Sequence, residues 1–193
     1  MGDDAERGVY DRGDRLDVCG ARLRGRDFSG RRLTNGFLAV ASRFEDCKFD
    51  GILVDSLAFG AGSALSEYVG CSFDGASLAA SSGDVARFVR CSFENVRIRD
   101  WYCWEVEFVD CVFSGVLRNV VFDGQVPEMN RGRAGRDVNE FIGNDFSRAD
   151  LRGVTFRGGI DLGRQRLPEG GDYTHLSDDE SSWGCWQWLA DWR

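Results

Sequence analysis

Cys47, Cys71, Cys91 and Cys111 recur in one local setting, in FEDCKFDG, YVGCSFDG, FVRCSFEN and FVDCVFSG. Each follows an aromatic residue by three positions and precedes a phenylalanine by two. Thiols in a fixed register could bind a metal or form a disulfide framework. Zinc sites use C-x-x-C pairs or histidine partners, but the chain has no C-x-x-C and its one histidine is His175. Cys103, in WYCWE, could act as a nucleophile only beside a base that forms its thiolate. None lies near it in sequence. An enzyme with an aromatic and cysteine site at Trp101 to Glu105 is therefore the third-ranked reading. No nucleophile elbow, H-E-x-x-H or phosphate-cradling glycine loop is present. The expectation is no cofactor and no metal.

The spacing of the cysteines says more about the elements that hold them. The steps between the four are 24, 20 and 20 residues. Read in fives, ARLRG, RDFSG, CKFDG, CSFDG, CSFEN, CVFSG, VVFDG, NDFSR, ADLRG and VTFRG share one pattern. A large apolar residue sits at the centre, a small one falls two before it, and Gly often falls two after. A period of two marks a strand and 3.6 a helix; five is neither. It suits short straight runs joined by corners, where Gly supplies positive φ.

This pattern resembles the pentapeptide-repeat family, whose unit is roughly A-[DN]-[LF]-[STR]-G; ADLRG at Ala149 to Gly153 is a near-perfect copy. The resemblance covers about residues 16–158. It implies an all-β fold, a right-handed quadrilateral β-helix with four pentads per coil. The cysteines then occupy the small inward position and serve as buried hydrophobes.

Laid out in this way, the chain gives six coils. The first face carries Leu23, Phe44, Tyr68, Phe88, Phe108 and Phe141. The second carries Phe28, Phe49, Phe73, Phe93, Phe113 and Phe146. The third carries Leu33, Val54, Leu78, Ile98, Leu117 and Leu151, and the fourth Leu38, Phe59, Gly83, Cys103, Phe122 and Phe156. Three insertions are expected at the corner between the fourth and first faces, the largest at 125–140. A deletion falls between Phe113 and Leu117. The remaining segments are a charged N-terminal stretch, 1–17, and a capping or dimerisation tail, 159–193.

Net charge is -8. Residues 18–40 are basic, with five Arg against one Asp, whereas 41–124 is acidic. Direct binding of nucleic acid is disfavoured for such a belt, because phosphates require Lys and Arg to displace their counterions. Outward positions form columns of their own. Asp50, Asp74 and Glu94 stand in file on the second face, unpaired within their column, and are the expected partner-binding acids. Val69, Val89, Val109 and Ile142 form an apolar stripe on the first. Tyr102 and Trp104 should face outward as an aromatic patch, beside a bulge at Trp101 that fills space opposite Gly83.

In the tail, Trp183, Trp186 and Leu189 fall at helical spacing and read as a cap or dimer contact. No apolar run is long enough for a membrane span, and the N-terminus lacks a secretory pattern, so a cytoplasmic protein with free thiols is expected. Family members that protect bacterial DNA gyrase from quinolones are acidic β-helices that mimic B-form DNA and dimerise through their C-terminal ends. The resemblance thus implies a non-enzymatic protein-binding module. Its partner would be DNA gyrase or topoisomerase IV, with a homodimer through the C-terminal end. The main alternative is a scaffold that uses the apolar stripe and Trp-rich tail.

Overall fold

Leu23, Phe44, Tyr68, Phe88, Phe108 and Phe141 are direct strand partners, each the parallel neighbour of the next. They lie on one six-stranded parallel sheet, the first face of a β-solenoid. Six rungs bracket five full turns. The computed structural model describes residues 8–80, 84–170 and 172–175. The other three faces run together as a ten-stranded sheet, because strands such as Ser92–Cys103, Val112–Asp123 and Asp145–Arg157 continue around the corners.

The second face is the most regular. Successive rings of Phe28, Phe49, Phe73, Phe93, Phe113 and Phe146 stack with centroids 5.1, 4.8, 4.8, 4.9 and 4.5 Å apart. That is the rung spacing of a sheet, ~4.8 Å, so one ring per rung fills the interior in offset stacks. The third-face file, Leu33 through Leu151, is likewise in register and buried.

The fourth face departs from expectation. Leu38 is half-buried, while Phe37 and Ala39 on either side are in the core. Phe37 pairs with Leu57, which aligns Ala39 with Phe59. Alternation along a strand sends two residues inward, and here the larger comes first, so a reading that sought a large centre landed one residue off. Trp101 before Cys103 repeats this order. With Ala39 as the centre, the single extra residue moves to the corner between the third and fourth faces, near Gly36, away from the other insertions. Gly83 lies outside the described residues. Trp101 is fully buried and its ring lies 5.2 Å from Phe59 and 5.6 Å from Phe108, filling the interior on that side.

The deletion after Phe113 is real, and one glycine permits it. Pairing of the strands slips between Phe93 and Val96, where Gly115 opposes Val96. Gly115 has φ +90°, and a Cβ there would sit 2.3 Å from the Val96 carbonyl oxygen. Only glycine allows so close an approach.

Both ends extend beyond the six rungs. Arg15–Cys19 adds a strand before the first coil, with Leu16 and Val18 in the core, and Val9–Asp11 pairs antiparallel against it. After Arg157 the chain makes a further partial turn: Arg166 bridges to Asp145, and Asp172–His175 pairs with the preceding strand. The 125–140 insertion contains the helix Glu128–Ala134.

Cys47, Cys71, Cys91 and Cys111 point inward as buried thiols, with Sγ 3.6, 3.5, 3.3 and 3.6 Å from carbonyl oxygens of the coil before. Asn144 continues their column; its side chain accepts from the Cys111 amide and donates to the Phe108 carbonyl. All six described cysteines are free. Burial pushes the Cys91 and Cys103 thiols up, away from thiolate formation. Of the described cysteines, only exposed Cys19 should react with an aromatic disulfide reagent in native buffer, with the five buried ones labelling after denaturation; mass mapping checks this.

Candidate binding faces

Asp50, Asp74 and Glu94 lie on three successive coils, and their carboxylates are held by hydrogen bonds and by an ion pair from outside their column. Asp50 Oδ1 accepts from the Asp74 amide at 3.0 Å and from the Ser72 hydroxyl. Asp74 Oδ1 accepts from the Glu94 amide at 2.8 Å and from the Ser92 hydroxyl at 2.5 Å. Each aspartate thus ties its own coil to the next, through a serine hydroxyl just before the central phenylalanine and an amide just after it. Glu94 instead pairs with Arg148. All three residues are half-buried, and the two aspartates are fixed by side-chain and backbone donors together. Oδ2 of Asp50 and of Asp74 has no partner among the described residues.

On the first face, Val69, Val89, Val109 and Ile142 share one column and are strand partners in turn, each half-buried. The outward column one step before the central residues reads Arg22, Arg43, Glu67, Arg87, Glu107 and Glu140. It forms a charge ladder: Arg43 pairs with Glu67, and Arg87 with Glu107 at 3.1 Å and Glu140 at 2.6 Å. The mixed signs at coil spacing are visible in the sequence beside the apolar stripe.

The 125–140 insertion packs onto this ladder. Arg133 donates to Glu105 at 2.5 Å, and Arg136 donates to the Glu105 carbonyl at 2.6 Å and pairs with Glu107 at 3.4 Å. Asn139 bonds the carbonyls of Trp104 and Asp123, both at 2.8 Å. Glu105 is fully buried, and its Oε2 finds no hydrogen bond. Burial lowers the Arg136 pKa against the pull of Glu107. Asp84 lies in the same region, almost wholly buried, with its carboxyl pushed up to about 6 by burial, against the Gly60 N–H that donates to it at 3.3 Å. Neither Asp84 Oδ2 nor Trp101 Nε1 is hydrogen-bonded. A residue from an insertion cannot be assigned to a repeat column, which is why this ionic group was not legible beforehand.

Tyr102 is exposed and Trp104 half-buried, their ring centroids 6.2 Å apart, so the two form an outward pair. Cys103 between them faces the core. Trp183, Trp186 and Leu189 lie outside the described residues. Among the described residues no cluster of His, Cys, Asp or Glu is arranged to hold a metal ion, and no helix is long and apolar enough to cross a membrane.

No family model matches the chain, and no curated protein matches it. Among solved structures it is similar to QnrB1, a plasmid-mediated fluoroquinolone resistance protein, in three forms. A trypsin-treated variant is 15% identical, with 85% of this chain and 93% of that chain covered and a TM-score of 0.32. A second trypsin-treated variant is 17% identical, at 85% and 92% coverage, with a TM-score of 0.24. Full-length QnrB1 is 15% identical, at 85% and 94%, with a TM-score of 0.25. No residue correspondence follows from a likeness at this level.

Proposed function

We propose that this chain is a non-enzymatic protein-binding module whose acidic second face occupies a basic groove of its partner. The DNA-binding groove of a type II topoisomerase is the partner class this reading names. One observation carries it: Asp50, Asp74 and Glu94 stand on consecutive rungs, and the two aspartates are fixed by the amides and hydroxyls of the coil above. Rigid negative charges in file present a cationic groove with a preorganised surface, so little ordering free energy is lost on docking. Such a surface acts through electrostatic complementarity, which speeds encounter and fixes register.

The test is binding of the full chain to purified gyrase, immobilised, across salt concentrations. Asp50→Lys, Asp74→Lys and Glu94→Lys together should weaken binding by at least ~30-fold. Wild-type affinity should fall steeply between ~50 and ~300 mM salt. Unchanged affinity for the triple variant would overturn the reading. Binding that ignores salt and is lost on Val89→Asp would favour the apolar stripe, whose four half-buried residues are the basis of the scaffold alternative.

A further inference from the structure

Arg99, Arg118 and Arg152 are direct strand partners on the third face, one per rung on consecutive coils. All three are exposed, with Arg99 and Arg152 side chains at 62% and 59% of full exposure. Like charges directly opposite across a sheet repel. The core residues beside them hold the file together regardless, since Ile98, Leu117 and Leu151 share the same register and are buried. Two of the arginines have neighbours on their own strand: Asp100 at 3.7 Å from Arg99, and Asp150, whose Oδ2 accepts from Arg152 Nε at 2.9 Å and Nη2 at 2.5 Å, leaving Nη1 of that guanidinium to a partner. The middle one, Arg118, makes no ion pair with a described residue. Exposed Arg97 flanks the file.

We propose that this arginine file is a docking surface for an acidic segment of a partner protein, distinct from the second-face contact. A guanidinium presents a planar fork that takes a carboxylate through two parallel hydrogen bonds. Three rungs span ~10 Å, the length of about three residues of extended chain. A short run of Asp and Glu therefore meets Arg118 through its open fork and Arg99 and Arg152 through the N–H groups their own aspartates leave. A nucleic acid fits less well. Its phosphates need many cations to release their counterions, and the chain's charge of -8 opposes its approach at long range.

The experiment uses fluorescence anisotropy with the full chain and two labelled probes, a dodecapeptide of alternating Glu and Ser and a 20-base-pair DNA duplex, at ~50 mM salt. The peptide should bind, and Arg99→Ser, Arg118→Ser and Arg152→Ser together should weaken it about tenfold or more. A matched variant, Arg22→Ser, Arg24→Ser and Arg32→Ser, removes the same charge from coil one and should stay within about twofold of wild type. Circular dichroism confirms that both variants keep the solenoid. The proposal is overturned if the peptide does not bind or if the two variants lose affinity equally. Tighter binding of the duplex than of the peptide also overturns it and assigns the face to nucleic acid.

Discussion

Phe73→Ala should destabilise the solenoid by about 3–5 kcal/mol, measured by urea unfolding followed by circular dichroism. Phe73 is fully buried. Its ring stacks at 4.8 Å on both Phe49 and Phe93 and meets the edges of Phe59 and Phe88 at 5.6 and 6.0 Å. Removing it takes away two stacked contacts and leaves a cavity that its neighbours cannot fill, because each is held to its own rung. A ring pair adds roughly 0.5–1.5 kcal/mol beyond area burial, so the stack alone is a sizeable share of the loss. Phe28→Ala is the internal comparison. Phe28 has one stacked neighbour, Phe49, at 5.1 Å and 19°, and sits in the first coil. It should cost about half as much. Solenoid stability depends on nearest-neighbour interfaces, so Phe73→Ala should also broaden the transition, by weakening the link between the coils on either side. Equal costs for the two substitutions would mean that the ring file is not what joins the coils.

That file was legible because the same residue type recurs at one point of a 20-residue cycle, with nothing competing for the position. The fourth face was not, for a physical reason. A strand sends two residues inward per rung, and sequence pattern alone does not say which one is larger. Phe37 with Ala39, and Trp101 with Cys103, reverse the usual order, and Leu38 between two inward residues was taken for a centre. The acidic file was visible as a column but not as a set of bonds. Ser72 and Ser92 hold it, and a serine before a core phenylalanine carries no signal of what it will donate to. Least legible was the ionic group beneath the insertion. Glu105 and Glu107 carry no pattern that pairs them with Arg133 and Arg136, more than two dozen positions later.

The same region yields the second large effect, in its response to pH. Asp84 has its carboxyl raised from 3.8 to about 6, and burial is the leading cause. The groups that bear on it are the Gly60 N–H, which donates to it and lowers it, the nearby Trp101 side chain and Phe59 backbone, which lower it without a formed hydrogen bond, and Glu105, whose charge raises it. Because the folded state holds the proton more tightly than the unfolded chain, protonated Asp84 favours folding. That contribution is fully present below pH ~4, declines as pH rises to about 6, and is absent above. The difference between the two pKa values corresponds to roughly 3 kcal/mol. Asp84→Asn keeps an acceptor for the Gly60 amide and carries no charge. At pH 8 it should be more stable than the wild type by up to ~3 kcal/mol, with the gap closing toward pH 4. A wild type whose stability is flat between pH 4 and 6, or a variant that gains nothing at pH 8, would show that the carboxylate is stabilised by contacts stronger than those around it here. Because Asp84 lies in the region that the insertion covers through Arg133 and Arg136, Arg133→Ala should act in the opposite sense. Loss of that guanidinium leaves Glu105 buried without its counter-ion and should lower stability in the same urea measurement.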